Sequence, residues 1–369
     1  MSPKIDVTVF DAYGVTALMN ASADGFKDKV QQIISQGADV NARTISGGTA
    51  LMRACGNGHS EIASILIEFG ADINIKDKYG RTALMFASQK GHSEVVRILL
   101  NNNANFNCKD NEGWTALMLG AKYKVKNIVS LLLEKNVNLN LKNTYHETAL
   151  TLACMNNEKE IVQMLLKSGA NTEIKNKDGK TALIWASSHG YIEIAKMLLE
   201  KGANIAARAN NGWNSLLYAV NNGNAEILKM LIENGADINI KSNAGMTGLH
   251  FASEKGKLEI VKILIEAGID INARNIKGGT ALMRACANNY IGIARLLIDS
   301  GADPNLKTND GGTSLIRSSF NGHKEIVQLL INSGAEANAK DIFGRTPLVA
   351  ASFRDHSEII KILIINGAK

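Results

Sequence analysis

The sequence predicts an all-α protein in which short helix pairs stack on one another, with turns between successive pairs. Three observations predict this fold class. A four-residue string recurs every 33 residues from Thr16 to Thr346, and ten of its eleven copies begin with threonine. Apolar residues inside each interval have helical spacing, and glycines recur in phase where helices are expected to end. A fixed period without insertions is typical of a solenoid whose units contact only their neighbours.

The second copy shows how local sequence specifies each element in order. Thr49 precedes an apolar stretch, so its hydroxyl can cap a first helix, and we expect that helix to end at Gly58. A second helix is expected over residues 60–69, because Ile62, Ile65 and Leu66 share one face. Gly70 then ends it, and residues 77–80 form a turn that closes on a glycine. Such a pair cannot bury its apolar face alone, so neighbouring pairs must stack.

The period also sets the predicted domain organisation. Residues 1–10 resemble the end of a repeat, so we expect them to be the tail of a partial preceding repeat. The remainder, residues 11–369, is predicted to be a single array of eleven repeats. Their bounds are 11–43, 44–76, 77–109, 110–142, 143–175, 176–208, 209–241, 242–274, 275–307, 308–340 and 341–369.

Three strings carry a resemblance to a known family. Thr346-Pro347-Leu348, Gly58-His59 and the Gly-Ala-Asp-Val-Asn of residues 37–41 match the motif of the ankyrin repeat. The chain therefore resembles the ankyrin-repeat family over residues 11–369. The resemblance implies helix pairs with β-hairpin fingers, a curved and elongated α-solenoid, and partner binding on the concave face and the finger tips.

Composition narrows the functional classes. The net charge of +6 is mild for this length, and no apolar run is long enough for a membrane helix. The first residues lack the apolar segment of a secretory signal. The four cysteines contain no CxxC pair, so we expect buried free thiols and neither a zinc site nor a redox pair. These features predict a cytoplasmic protein and leave a secreted effector open.

Several strings resemble catalytic motifs without supporting catalysis. Residues 9–14 resemble the start of haloacid-dehalogenase-like hydrolases, but the same pattern recurs in the turns at Asp77 and Asp341. Residues 178–181 resemble the end of a phosphate loop, yet Ile174 stands where that loop needs glycine. Most histidines recur in phase at helix starts. We therefore expect no catalytic residues, no metal site and no cofactor, and predict a non-catalytic protein.

Aromatic residues concentrate on the predicted binding side. We number each repeat from position 1 at residues 11, 44, 77 and so on; the family implies fingers at positions 2, 3 and 5 and an inward face at 10, 13 and 14. These positions hold 13 of the 19 aromatic residues. Since aromatic anchors are enriched in protein interfaces, we predict a partner surface there, with inter-repeat packing as the open alternative. The candidate aromatic residues are Phe86, Trp114, Tyr145, Trp185, Trp213, Tyr218 and Phe251.

Basic residues give the predicted surface its charge. Arg53, Arg284 and Arg317 occupy position 10, and the last two continue the series of Trp185, Tyr218 and Phe251 at 33-residue spacing. Position 33 is basic in all ten complete repeats. Because arginine engages carboxylates bidentately, the sequence predicts a protein partner with an apolar segment followed by acidic residues. The alternative is an anionic polymer such as nucleic acid in a basic groove, which ankyrin arrays rarely bind.

Two regions depart from the repeat pattern. Ile365 stands where the other ten repeats carry polar residues, which predicts self-association through the C-terminal repeat. In the fourth and fifth repeats, Lys124, Asn136 and His146 replace glycines. A side chain at positive φ costs about 1 kcal/mol, so we predict that these repeats are the least stable part of the array.

Overall fold

The computed structural model describes residues 10–369, which form 22 α-helices arranged as eleven consecutive pairs. The predicted tail at residues 1–10 lies outside this range apart from Phe10. The first helices of the pairs are α1 Ala17–Asp24, α3 Ala50–Asn57, α5 Ala83–Lys90, α7 Ala116–Lys122, α9 Ala149–Met155, α11 Ala182–His189, α13 Ser215–Asn222, α15 Gly248–Glu254, α17 Ala281–Ala287, α19 Ser314–Asn321 and α21 Pro347–Phe353. The second helices are α2 Lys27–Ser35, α4 Ser60–Glu68, α6 Ser93–Asn101, α8 Lys126–Leu133, α10 Lys159–Lys167, α12 Ile192–Glu200, α14 Ala225–Glu233, α16 Leu258–Glu266, α18 Ile291–Asp299, α20 Lys324–Asn332 and α22 Ser357–Ile365.

The caps predicted from the sequence are confirmed. The Thr49 hydroxyl accepts a hydrogen bond from the Met52 N–H at 3.2 Å and starts α3. Gly58 ends that helix with a left-handed φ of 82°, and α4 begins at Ser60. In α9 the cap is reciprocal, because Thr148 and Thr151 each satisfy the other's backbone N–H. Local sequence therefore sets where each helix begins and ends.

The chain divides into two compact units, residues 10–182 and 183–369 within the described range. In each unit first helices pack side by side, and the leucine of ten of the eleven recurring strings is buried in the core. In the first unit these are Leu18, Leu51, Leu84, Leu117 and Leu150; in the second they are Leu183, Leu216, Leu249, Leu282 and Leu315. Burying one such side chain stabilises a fold by about 1.5–3 kcal/mol, so this core holds neighbouring repeats together.

The expected β-hairpin fingers form as hydrogen-bonded turns. The Asp77 N–H donates to the Arg81 carbonyl at 3.0 Å, and the Asp77 carboxylate accepts from the Tyr79 and Arg81 N–H groups. Adjacent fingers are joined through the backbone, as where Asn111 N–H donates to the Tyr79 carbonyl at 2.9 Å. Each finger is too short for a strand ladder. Over residues 10–369 the structure has no strand, and one isolated bridge joins Phe10 and Thr16.

A ladder of asparagines also links neighbouring repeats. The Asn272 side chain accepts from the Asp303 N–H at 2.9 Å and donates to the Gly301 carbonyl at 3.1 Å. The fifth and sixth repeats carry Glu173 and Ala206 at this position, and an alanine cannot make these bonds. The asparagines that accept from the next repeat are Asn41, Asn74, Asn107, Asn140, Asn239, Asn272, Asn305 and Asn338.

The fourth and fifth repeats carry the backbone departures that their sequence predicts. Lys124 and His146 have φ values of 63° and 60°, a region that disfavours any side chain. Asn136 does not adopt the left-handed conformation of the glycine it replaces; instead Val137 N–H donates to the Lys135 carbonyl at 2.7 Å. This end of α8 therefore lacks the helix-closing bond that Ala104 makes to Leu99 in the third repeat.

We expect amide hydrogen exchange in α7 and α8 to be about tenfold faster than in α5 and α6, because about 1–2 kcal/mol of backbone strain lies at Lys124 between these helices and at His146 in the finger that follows them. Exchange mass spectrometry of the full chain measures this. Glycine at Lys124 and His146 removes the strain and should slow exchange towards the value of the third repeat. Uniform protection across these four helices in the unsubstituted chain would contradict the prediction.

Candidate functional site

The candidate site in the second unit is the aromatic–arginine row, defined as Trp185, Tyr218, Phe251, Arg284 and Arg317. Each residue occupies position 10 of consecutive first helices, α11, α13, α15, α17 and α19. Since α13, α15, α17 and α19 pack against one another in sequence, the row is continuous from Tyr218 to Arg317. Helix packing brings neighbouring positions to about 8–10 Å, which is within reach of one extended ligand.

The centre of the row is a packed aromatic cluster. The Trp213 ring lies 5.1 Å from the Tyr218 ring and 4.6 Å from the Phe251 ring, measured between centroids. Phe251 is only 9% exposed, because the Trp213 ring packs against it. Trp213 packs back against the helices and is half-buried, and Tyr218 is half-buried as well. The Asn211 amide donates to the Tyr218 hydroxyl at 3.0 Å and fixes that ring.

Trp185 belongs to a second aromatic stack. Its half-buried ring lies 4.6 Å from the His189 ring, which in turn lies 5.5 Å from Tyr191. His189 follows Trp185 by one turn of α11. This contact was not predicted from the sequence, although the spacing of four residues between Trp185 and His189 on one helix is a signal for it.

The two arginines of the row differ in their surroundings. Arg284 is half-buried, and its Nη1 lies 3.8 Å from a Glu254 carboxylate oxygen. Arg317 is exposed and faces Asp310. The Thr308 hydroxyl, with a smaller contribution from Arg317, holds the pKa of Asp310 below its usual range. The row therefore ends in two arginines that each have an acidic neighbour, Glu254 for Arg284 and Asp310 for Arg317.

In the first unit the candidate residue Trp114 has little exposed surface. Its indole is 7% exposed, because the Lys122 ammonium of α7 lies 4.2 Å above the ring. The indole N–H also donates to the Glu112 carboxylate at 3.3 Å. Trp114 therefore packs within its own repeat, which favours a structural role for its ring over contact with a partner.

The other candidates of the first unit keep exposed surface. Phe86 is half-buried beneath the Arg81 guanidinium, whose carbon lies 4.5 Å from the ring centroid. The same guanidinium lies 4.8 Å from the ring of Tyr79, a finger residue that the sequence analysis did not single out. Tyr145 is 53% exposed, and Arg53 is half-buried on α3. The structure brings Phe86 together with Arg81 and Tyr79, and it gives Tyr145 a cation–π neighbour in Lys177.

Five of the ten basic residues at position 33 bind the backbone of the next repeat. The Arg274 guanidinium donates to the Lys307 carbonyl at 2.7 Å, so a side chain of one repeat binds the backbone of the next. These contacts hold successive repeats together while the cations stay at the surface. The same bond is made by Arg43 to Lys76 at 2.6 Å, Lys76 to Lys109 at 2.9 Å, Lys109 to Lys142 at 2.7 Å, and Arg208 to Lys241 at 2.8 Å.

A pocket of about 440 Å³ that was not predicted from the sequence lies between the tenth and eleventh repeats. Phe320 and Phe353 stack in it with their ring centroids 6.2 Å apart. Both occupy position 13, where the other repeats carry smaller or polar residues except Met155 in the fifth. That pair of aromatic residues in consecutive repeats was the available signal.

The C-terminal helix exposes apolar surface at the residue singled out from the sequence. Ile365 is 82% exposed on α22, and its neighbour Ile364 is also exposed. Self-association through this repeat stays a prediction. Replacing Ile365 with glutamate should lower the fraction of self-associated chain in sedimentation, with Lys361→Glu on the same helix as the control. Equal sedimentation of the three proteins would contradict it.

The buried titratable residue nearest the row is His250 on α15. Its Nδ1 accepts from the Thr247 N–H at 3.1 Å, and its Nε2 donates to the Gly279 carbonyl at 2.9 Å. Burial lowers the pKa of His250 below its ordinary value, despite the favourable bond to Gly279. The neutral ring therefore joins the eighth repeat to the ninth. Among residues 10–369 no group of three or more His, Cys, Asp or Glu side chains could hold a metal ion.

We expect the stability of the second unit to fall below about pH 6.5, the value at which an exposed histidine titrates. The unfolded chain then binds a proton that folded His250 resists, so the free energy of unfolding decreases by up to about 1.4 kcal/mol per pH unit. Urea unfolding at pH 7.5, 6.5 and 5.5 (about one unit apart) measures this. His250→Gln should lose this part of the pH dependence; an unchanged slope would contradict the assignment.

The described helices include none with the length and apolarity needed to cross a membrane. In comparison with known families, a model of three tandem ankyrin repeats matches the chain in overlapping segments that together cover residues 18–369. The matched segments are 18–110, 66–143, 102–176, 127–209, 168–242, 216–308 and 282–369. A search of curated proteins returned no significant match.

Proposed function

Because the chain belongs to the ankyrin-repeat family, whose domains are generally protein-binding scaffolds, we propose that it is a non-catalytic scaffold that binds a protein partner through the aromatic–arginine row. The observation that carries this proposal is the cluster of Trp213, Tyr218 and Phe251, with Arg284 on the next first helix. Its outer rings stay partly exposed while the buried Phe251 fixes them from below.

A rigid aromatic surface is well suited to a protein partner. Tyrosine and tryptophan anchors are enriched in the residues that dominate binding energy, and little conformational entropy is lost when their rings are already fixed. The Asn211 bond to the Tyr218 hydroxyl and the contact with Trp213 provide that order. Trp185 and Tyr218 then receive an apolar segment, and Arg284 and Arg317 receive the acidic residues that follow it.

The position-33 bonds favour a protein over a polyanion. The side chains of Arg43, Lys76, Lys109, Arg208 and Arg274 are oriented towards backbone carbonyls of the next repeat. Turning them onto phosphates would break contacts between repeats. Nucleic-acid binding would also show a steep loss of affinity with salt, whereas a partner held by aromatic anchors would retain most of its affinity.

A displayed library of random peptides tests the proposal on the full chain. We expect peptides selected on the wild type at 150 mM salt (about physiological) to carry an aromatic or aliphatic residue before acidic residues. Their binding should fall by about tenfold or more with Tyr218→Ala/Arg284→Ala, since hot-spot truncations cost about 2 kcal/mol or more. The double variant must keep its circular dichroism spectrum.

The chain offers a matched control. Tyr290→Ala/Arg295→Ala removes the same two residue types from the exposed side of the ninth repeat, where Tyr290 precedes α18 and Arg295 lies within it. This variant should bind the selected peptides as the wild type does. Equal losses with the two double variants, or peptides that bind all three proteins alike, would overturn the row as the binding surface.

A further inference from the structure

The pocket between the tenth and eleventh repeats has the features of a built site. We call it the C-terminal pocket; its apolar wall is Ile316, Phe320, Val349 and Phe353, and Arg317 lies at its rim. Its volume of about 440 Å³ exceeds the roughly 150 Å³ that holds a benzene ring in a protein cavity. Phe353 is 76% exposed, so the wall is open to a ligand.

Small residues create this space. Gly312 and Ala350 line the pocket at positions where most other repeats carry larger side chains, and Ala287 is a third small residue in its lining. In the seventh and eighth repeats, for comparison, Trp213 and Phe251 occupy the positions of Gly312 and Ala350 and fill the equivalent region. The pocket therefore results from three small side chains in one place, while Phe320 and Phe353 keep its wall apolar.

In every repeat that has arginine at position 10, position 5 is glycine. The pair occurs in three repeats, and the other eight have neither residue at these positions. In the tenth repeat a Cβ on Gly312 would lie 3.6 Å from Arg317 Nε, so the glycine leaves one edge of the guanidinium uncovered. Gly312 does not have a left-handed φ, so its conformation does not itself require glycine. The three pairs are Gly48 with Arg53, Gly279 with Arg284, and Gly312 with Arg317.

The charges around the pocket leave Arg317 as its available cation. Arg345 is engaged by Asp341, with Nε 2.7 Å from a carboxylate oxygen that is almost completely buried. Arg354 lies over the Phe320 ring at 4.4 Å. Asp310 accepts from the Thr308 hydroxyl and faces Arg317 without forming an ion pair in the described structure. The three arginines exceed the two aspartates by one positive charge.

We propose that the C-terminal pocket binds one large apolar side chain of a protein partner, whose adjacent acidic residue pairs with Arg317 through the edge that Gly312 leaves open. This inference extends the proposed function and rests on it, because it adds an anchoring position to the same partner-binding side. It assigns the residues Gly312, Phe320 and Phe353, which the aromatic–arginine row does not contain.

Blocked peptides that contain Phe-Glu, Phe-Gln or Ala-Glu between alanines test the pocket directly. In the full chain with labelled isoleucine and valine methyl groups, we expect the Phe-Glu peptide to shift the resonances of Ile316 and Val349. The Phe-Gln and Ala-Glu peptides should each bind about tenfold more weakly, since one lacks the charged acceptor and the other lacks the apolar side chain. No shift at either methyl, or equal affinity of the three peptides, would overturn the proposal.

Substitutions separate the pocket from the rest of the surface. Gly312→Met fills the edge beside Arg317 without changing charge, and Met246 occupies the same position in the eighth repeat. It should abolish the response to Phe-Glu, and Arg317→Gln should reduce Phe-Glu affinity to that of Phe-Gln. Gly48→Met is the matched control in the second repeat, where the glycine likewise precedes an arginine at position 10 and lies beside a threonine hydroxyl, and it should leave both methyl responses unchanged. Unaltered binding by Gly312→Met with a native spectrum would overturn the pocket; if that variant fails to fold, Arg317→Gln decides.

The two proposals fail in different ways. Library peptides that depend on Tyr218 and Arg284, together with silent Ile316 and Val349 methyls, would reject the pocket alone. Conversely, if the Phe-Glu peptide shifts the Ile316 and Val349 methyl resonances but the library peptides bind the Tyr218→Ala/Arg284→Ala variant as well as the wild type, the row is rejected and the pocket is retained.

Discussion

Replacing Trp114 with alanine is expected to destabilise the fourth repeat by about 3 kcal/mol and to leave partner binding by the second unit unchanged. The indole is 7% exposed, and it would leave behind an unfilled space beneath Lys122. The Glu112 carboxylate would lose its indole donor as well. Because about 1.4 kcal/mol is a factor of ten, amide exchange in α7 should become about a hundredfold faster.

Tyr145→Ala is the control for this prediction. Tyr145 is 53% exposed on the next finger, so its removal should change stability by less than about 0.5 kcal/mol. Exchange mass spectrometry of both variants, read at α7 and α9, makes the comparison without assuming two-state unfolding of a repeat array. If Trp114→Ala exchanges like Tyr145→Ala, the indole contributes nothing to packing and its assignment to a partner surface becomes the better hypothesis.

The fold was predictable because each element depends on nearby residues. Thr49 caps α3 by accepting a hydrogen bond from the Met52 N–H, and Gly58 ends the helix with a left-handed φ. Both signals can therefore be recognised within one short stretch of sequence. The period then repeats this local information eleven times in phase. Stacking follows, because each helix pair leaves the same apolar face uncovered. The strained backbone at His146 was also predicted from the sequence, because histidine replaces the glycine that other repeats carry at this position.

The site was less predictable because it depends on which side chain covers which. Trp114 and Trp213 occupy the same repeat position, yet Lys122 covers the first and the second packs on Phe251. Such contacts depend on the residues at neighbouring positions and on the orientations of the rings, which the period does not specify. The position-33 cations show the same limit, since their acceptors are carbonyls 33 residues away. A charge count alone assigned these cations to the binding surface.

The finger of the third repeat gives the second large effect: Asp77→Ala should destabilise it by about 2–3 kcal/mol. The Asp77 side chain is 5% exposed, and it accepts from the Tyr79 and Arg81 N–H groups at 2.9 and 2.8 Å. It also binds the Arg81 guanidinium, with Nη2 at 2.8 Å. Alanine leaves two backbone donors and a partly buried cation without their acceptor, and it releases Arg81 from its position over Phe86.

Asp11→Ala separates the turn from the ion pair. Asp11 accepts from the Tyr13 and Val15 N–H groups at 2.8 Å each, but it is exposed and has valine where the third repeat has Arg81. Water can replace this acceptor, so the variant should lose about 1 kcal/mol or less. Amide exchange at residues 77–81 and at the equivalent residues 11–15 measures both changes. Equal losses would mean that the pair with Arg81 adds no net stability, because the desolvation of two charges then offsets their attraction.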